Sequence, residues 1–173
     1  MKVICISWKA QHGKDTTSAI LEAELVSAGY KTVVIHYADL LKFICTTYFN
    51  WDGKKDVEGR HLLQHVGTDV VRKQDPSFWV NFVTRLIKVF KHEWDFVIIP
   101  DCRFPNELSC FAEAGIDSIH VRVVRPNFKS PLTEEQLQHP SETSLDDVIP
   151  DVLLLNTSIS ELQDSIKIFV ESL

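Results

Sequence analysis

Five short runs that read as strands alternate along this chain with stretches of helical periodicity. The runs are Val3–Ile6, Thr32–Ile35, Phe96–Ile99, Ser118–Val124 and Val152–Leu155. Most are near-continuously apolar, as strands buried on both faces are, rather than alternating as a half-exposed strand would. The stretches between them repeat at helical spacing. Leu21, Leu25 and Ala28 share one face of a helix expected over Lys14–Ala28, with Gly29 as its stop. Asp75-Pro76 reads as an N-cap and first-turn proline, followed by Trp79, Phe82, Val83, Leu86 and Phe90. Leu108, Phe111 and Ala112 precede Gly115, and a Ser158–Glu161 capping box opens a last helix bearing Ile159, Leu162, Ile166, Phe169 and Leu173. Strand–helix alternation of this kind predicts an α/β three-layer sandwich: a five-stranded parallel sheet covered by helices on both faces.

Two segments fall outside the alternation. Roughly 38–75 is polar, helical in pieces and punctuated by Gly53 and Gly59, and reads as an insertion. Roughly 126–147 is polar with three prolines, and a loop of that length is expected to have a task, here that of a lid. No linker or repeat divides the chain, so 1–173 is expected to be one domain.

The charge balance narrows the partners. Lys plus Arg number 18 against 24 Asp plus Glu, a net charge of −6, which disfavours broad binding to nucleic acid or anionic membrane but leaves room for a local basic pocket. No apolar stretch approaches the ~20 residues of a membrane span. The four cysteines form no CxxC pair, and Cys5 lies inside an apolar run, as a reduced buried thiol would. With a start too short for a signal peptide, a cytoplasmic protein is expected.

The strongest local signal follows the first strand: Ser7-Trp8-Lys9-Ala10-Gln11-His12-Gly13-Lys14-Asp15-Thr16. A phosphate-binding loop needs G-x-x-x-x-G-K-[ST] between a strand and a helix. Gly13 and Lys14 meet the pattern, Trp8 stands in place of the first glycine, and Asp15 replaces the hydroxyl residue. Strand, loop and helix stand in the required order, so N–H groups at the helix start would face an anion with the macrodipole behind them. Lys14 would reach the β- and γ-phosphates, with Lys9 as a second cation. Asp15, or failing that Thr16, would hold Mg²⁺ as a hard oxygen ligand. Trp8 is the misfit, because a bulky residue at positive φ is strained. Either the loop differs there or Trp8 takes an ordinary angle; a plain strand–turn–helix with solvated lysines is the alternative.

Gly13-Lys14-Asp15-Thr16 resembles the G-K-D-T loop of phage-type deoxynucleoside monophosphate kinases. The resemblance runs on in order along nearly the whole chain. Tyr37-Ala38-Asp39 with Leu41-Lys42 is similar to the segment after that family's second strand. Gly59-Arg60-His61-Leu62-Leu63-Gln64, then Gly67-Thr68 and Arg72, resembles its G-R-x-L-L-Q-x-x-G-T region. Pro76-Ser77-Phe78-Trp79-Val80 resembles its P-x-F-W-V helix start, and Asp101 to Glu107 its D-x-R-F-x-N-E motif. Arg122 and Arg125 match arginines entering the lid. His139-Pro140-Ser141-Glu142 with Leu145-Asp146 resembles an H-x-S-E-x-x-L-D stretch. Trp8 and His12, the latter standing for a usual serine, depart from the pattern.

What the resemblance implies is a P-loop kinase that uses ATP and Mg²⁺ to phosphorylate a deoxynucleoside monophosphate, in host cytoplasm if the source is viral. Lys9 to Thr16 would bind ATP. Lys14, Arg103, Arg122 and Arg125 would be catalytic. Asp39, Lys42, Arg60, Gln64, Thr68, Arg72, Trp79, Asp101, Arg103, Glu107 and Glu142 would contact the acceptor, within the 38–75 insertion and beyond. Asp15 and Asp101 would hold the metal. For Asp101 an alternative is to orient Arg103, and for Trp79 a plain core position. The partners would be small molecules, with neither nucleic acid nor membrane, and surface aromatics on an acidic chain could support a homodimer. Two other readings remain open: a phosphomevalonate kinase-like enzyme, which shares the G-K-D, D-x-R and S-E-x-x-L-D elements, and a nucleotide-binding module without turnover.

Overall fold

The computed structural model describes residues 1–173. Its five strands form one parallel sheet in the order β2-β3-β1-β4-β5. They are β1 (Lys2–Ser7), β2 (Thr32–Val34), β3 (Phe96–Cys102), β4 (Asp117–Val124) and β5 (Val152–Leu155). Placing β1 at the centre means the chain leaves it for β2 and β3 on one side and for β4 and β5 on the other. That reversal opens a crevice at the carboxyl ends of β3, β1 and β4, where ligands of open α/β sheets bind.

Each sheet face has its own apolar layer. Ile4, Ile6 and Ile98 pack with Val121 and Val123 under α1 (Lys14–Ser27) and α8 (Ile159–Glu171), whose Leu21, Leu25, Leu162 and Ile166 are buried. Val3, Cys5, Val97 and Ile99 face the other way, under Trp79, Val83 and Ile87 of α4 (Phe78–Val89) and Phe111 of α5 (Pro105–Glu113). Full burial of each such side chain contributes about 1.5–3 kcal/mol before entropy is counted. The inserted segment carries α2 (Ala38–Tyr48), α3 (Val57–Gln64) and a π-helical stretch, His65–Arg72, around a small core of Cys45, Trp51 and Val66. The lid region holds two short helices, α6 (Glu134–Gln138) and α7 (Pro140–Thr143), rather than an unbroken loop.

Several local expectations shift. Asp75 does not cap α4; its side chain accepts the Ser77 N–H inside a turn, and α4 begins at Phe78 with Ser77 as N-cap. Phe82 and Phe90 lie outward, because the inner stripe of α4 runs through Trp79, Val80, Val83 and Ile87. β2 and β5 are edge strands, so β2 is only half-buried and Leu153 and Leu155 are exposed. Ser158 does accept the Glu161 N–H, but the Glu161 carboxylate turns to Thr157 Oγ1 instead of closing a capping box.

Candidate active site

The loop after β1 holds three residues at positive φ: Trp8 at 127°, Gln11 at 62° and Gly13 at 100°. A non-glycine residue there costs on the order of 1–3 kcal/mol, so the surroundings must hold Trp8. They do so by stacking. The Arg122 guanidinium lies 4.3 Å from its ring centroid, Lys9 Nζ lies 5.3 Å away, and His12 meets it edge-on. Gly13 is required for a different reason: a Cβ there would lie 2.3 Å from Asn156 Nδ2, the atom that donates to the His12 carbonyl.

Lys14 opens α1 and is buried, its ammonium donating to the Lys9 carbonyl at 2.8 Å. Burial, followed by the nearby Arg103 guanidinium, pushes its pKa down to about 7. Burial also lowers His12, with Lys14 next in weight. Cationic side chains thus converge on a pocket that Asp15, Asp101, Glu107 and Glu142 also line.

The larger cleft, about 530 Å³, opens beside Lys14. Its floor is the end of β3, where Asp101 accepts the N–H groups of Tyr37 (3.0 Å) and Ala38 (2.9 Å) and so ties down the start of α2. Arg103 follows, donates from Nη1 to the carbonyls of Trp8 and Ser141, and forms an ion pair with Glu142, Nη1 lying 2.9 Å from Oε1. One wall is the inserted segment. Gln64, the last residue of α3, and Thr68 and Arg72 of the π-helical stretch, where i→i+5 bonding widens each turn, all reach the cleft. Arg72 bonds to buried Glu107 at 2.5 Å and stacks on Phe104 at 3.8 Å. Burial raises the Glu107 pKa to about 7, opposed by Arg72 and by the N–H groups of Arg103 and Phe104 that it accepts. Trp79 is both core and cleft wall, its Nε1 donating to the Gly67 carbonyl at 2.9 Å. Leu132 and Gln136 of the lid also line it.

A second cavity of about 420 Å³ lies across α1's start, lined by Gly13, Thr16, Arg125 and the Asn156–Ile159 loop after β5. Gln11, Lys14 and Asp15 line both cavities.

Most residues singled out in the sequence meet here. Lys42, Arg60, Gln64, Thr68, Arg72, Trp79, Asp101, Arg103, Glu107 and Glu142 line the larger cleft, with Ala10. Arg125 lines the smaller one. Four lie elsewhere. Asp39 is exposed and pairs with Lys42 and His36; Lys9 pairs with Asp146. His12 accepts the Arg125 N–H and packs on Phe128. The Arg122 guanidinium donates to the carbonyls of Leu145 and Val148 and stacks on Trp8, and so borders the loop without lining either cavity. Missed in the sequence were Lys55, Leu132 and Gln136 in the larger cleft and Asn156 to Ser158 in the smaller. The last group carried a usable signal, since it follows the fifth strand directly.

For a metal, the donor set is sparse. Both oxygens of Asp101 are already bonded to backbone, whereas Asp15 is exposed in both cavities. His61 and His65 stack at 6.3 Å, but no group of three His, Cys, Asp or Glu side chains gathers to hold an ion unaided. A divalent cation that takes most of its ligands from phosphates and water fits Asp15.

The sequence model of one family, deoxynucleotide monophosphate kinase, matches residues 32–166. Among curated proteins the chain is 34% identical over 111 residues to deoxynucleotide monophosphate kinase of Enterobacteria phage T4, covering 62% of this chain and 43% of that protein. It is 30% identical over 113 residues to uncharacterized protein ORF77 of Ictalurid herpesvirus 1 (strain Auburn), covering 64% and 47%. The chain therefore spans less than half the length of these relatives. Among solved structures, Mycobacterium tuberculosis APS kinase CysC in complex with AMPPNP and APS superposes with TM-score 0.57 at 14% identity, over 99% of this chain and 98% of that one. Its Cys556Ala mutant gives 0.55 at 15%, over 99% and 97%. At that identity the likeness establishes the fold, that of P-loop kinases. No helix is long and apolar enough to cross a membrane.

Proposed function

The chain belongs to the deoxynucleotide monophosphate kinase family, and from that premise we propose that it transfers the γ-phosphoryl group of ATP to a deoxynucleoside 5′-monophosphate, releasing two diphosphates. The observation that carries this reading is the meeting of two cavities at one wall, Gln11, Lys14 and Asp15. A phosphoryl group passed between two nucleotides needs such a junction, with cations on it.

The smaller cavity takes the donor. Its phosphates lie against the start of α1, where backbone N–H groups and the helix dipole favour an anion, with Lys14 and Arg125 adding charge. The larger cleft takes the acceptor. Its phosphate is mostly a dianion at pH 7 and needs no base, so the residues have only to position and neutralise. Arg103, with Nε and Nη2 unclaimed by protein, turns to that phosphate; Gln64 and Thr68 bond the base or sugar against Trp79 and Leu41. Leu132 and Gln136 border the acceptor from the lid side. Asp15 is the residue to hold Mg²⁺, which neutralises phosphate charge when bound. The setting that suits these substrates is cytoplasmic.

The test is an ADP-release assay with dTMP, dGMP, dCMP and dAMP, their ribose counterparts, and phosphomevalonate. Turnover with at least one deoxynucleotide is expected, and Lys14→Ala should lower kcat about 100-fold or more while the fold persists. ADP formation only with phosphomevalonate, or with no acceptor at all, would overturn the proposal.

A further inference from the structure

Glu142 is the one acidic side chain of α7, and it is almost wholly enclosed, its side chain 6% exposed. Its Oε2 accepts the Ala10 N–H at 2.8 Å, and its Oε1 pairs with Arg103 Nη1 at 2.9 Å. A carboxylate taken out of water at this cost must have donors waiting for it. The donors are notable. One is a main-chain N–H of the loop that wraps phosphate, the other a guanidinium that faces the acceptor cleft. A loop N–H beside an arginine is a seat for a phosphate oxygen.

The seat also explains why a carboxylate is there. Without an anion, Lys14 and Arg103 line one cleft as like charges, and Arg103 depresses Lys14. Glu142 adds the opposing charge, and it is among the groups that offset the depression of Lys14. A polyphosphate would supply far more negative charge at the same place. Carboxylate and phosphate cannot both take the Ala10 N–H, and side by side they repel.

Resting on the kinase reading, we infer that Glu142 is an internal stand-in for a phosphoryl group: its carboxylate fills the anion seat between Ala10 and Arg103 until an incoming polyphosphate displaces it. Displacement frees α7. Because Leu132 and Gln136 of α6, just before α7, line the same cleft as Ala10, Arg103 and Glu142, a phosphate that takes the seat loosens the segment bordering the acceptor. The lid is thus held by the enzyme's own carboxylate in the empty protein and handed to the nucleotides in the loaded one.

Calorimetric titration with inorganic tripolyphosphate tests this on four proteins: wild type, Glu142→Gln, Glu142→Ala and Lys14→Ala. Both Glu142 variants should bind tripolyphosphate about tenfold more tightly than wild type, since no carboxylate has to leave. Equal or weaker binding in both would mean that Glu142 is a permanent clamp, and the inference fails. In the wild type, amide hydrogen exchange over residues 139–146 should quicken when tripolyphosphate binds; unchanged or slower exchange overturns the inference even if the variants do not fold. Lys14→Ala separates the two levels. If wild type binds and Lys14→Ala does not, the kinase reading stands whatever Glu142 does; if neither binds, both fall.

Discussion

Lys14 carries the clearest consequence at the scale of one residue. Its ammonium is enclosed, and burial followed by Arg103 brings its pKa down to about 7. In the unfolded chain it would titrate near its ordinary 10.5. Between those values the unfolded chain holds a proton that the folded one has lost, so this group makes stability rise with pH through that window. Glu107 works in a lower window. Its pKa is raised from 4.5 to about 7, so its contribution to stability falls as pH climbs between the two. Stability against pH therefore mixes both, and ligand-linked protonation isolates Lys14. A polyphosphate beside Lys14 restores the charged form, so at pH 8 binding should take up more protons in the wild type than in Lys14→Met, in which only the phosphate's own protons move. Tripolyphosphate titrations in buffers of differing ionisation enthalpy measure it. The difference should shrink at pH 6; no difference between wild type and Lys14→Met at pH 8 would mean that Lys14 does not meet the phosphates. Trp8 shows the limit of reading residues one at a time. Its place in the loop pattern demanded a positive φ, and the chain does adopt it. What tolerates it is Arg122, 114 positions away and itself expected to be catalytic.

At the scale of elements, legibility followed periodicity and local bonding. The helices with a strong 3.6-residue stripe and the apolar strands were readable because those patterns are written in neighbouring residues. The π-helical stretch was not, since i→i+5 bonding leaves no composition signature, and His65–Arg72 owes its shape to packing under Trp79 and beside α2. Asp75-Pro76 had the right residues for an N-cap and used them in a turn two residues early. Edge positions of β2 and β5 depend on strand order, which no single run reveals. The inserted segment offers a test of its own independence. Gly59 lies in α3, and a Cβ there would sit 2.0 Å from the Lys54 carbonyl and 2.8 Å from Trp51 Nε1, themselves hydrogen-bonded. Backbone cannot yield there as a side-chain tip would. Gly59→Ala should cost about 1–3 kcal/mol of stability in this segment. It should raise the acceptor KM several-fold and leave tripolyphosphate affinity unchanged, as titration and steady-state rates would show. Parallel losses in both would mean that the segment and the phosphate loop fold as one unit.

For the whole molecule, the sheet order decides what the sequence could only suggest. Residues as distant as Lys14, Arg72, Arg103 and Glu142 reach one cleft because β1 is central and its neighbours β3 and β4 end beside it. Charge count alone gave an acidic protein; only topology gathers its cations, and only topology lays Arg122 against Trp8. The same arrangement makes the two cavities neighbours through Gln11, Lys14 and Asp15. If donor and acceptor occupy them together, one molecule carrying two nucleosides on a single polyphosphate chain should fill both. Its second half would bind without a second loss of translational freedom, so its affinity should exceed that of ATP by about 100-fold or more. It should compete with ATP and with the monophosphate alike. Chain length supplies the control, because a linker too short to cross Lys14 gains nothing. Adenosine joined to deoxythymidine through three to six phosphates forms a suitable series for calorimetry. A sharp optimum in that series would fix the span between the two nucleoside sites. A flat series no tighter than ATP would mean that the cavities are not traversed by one phosphate chain, and phosphoryl transfer between them would have no path.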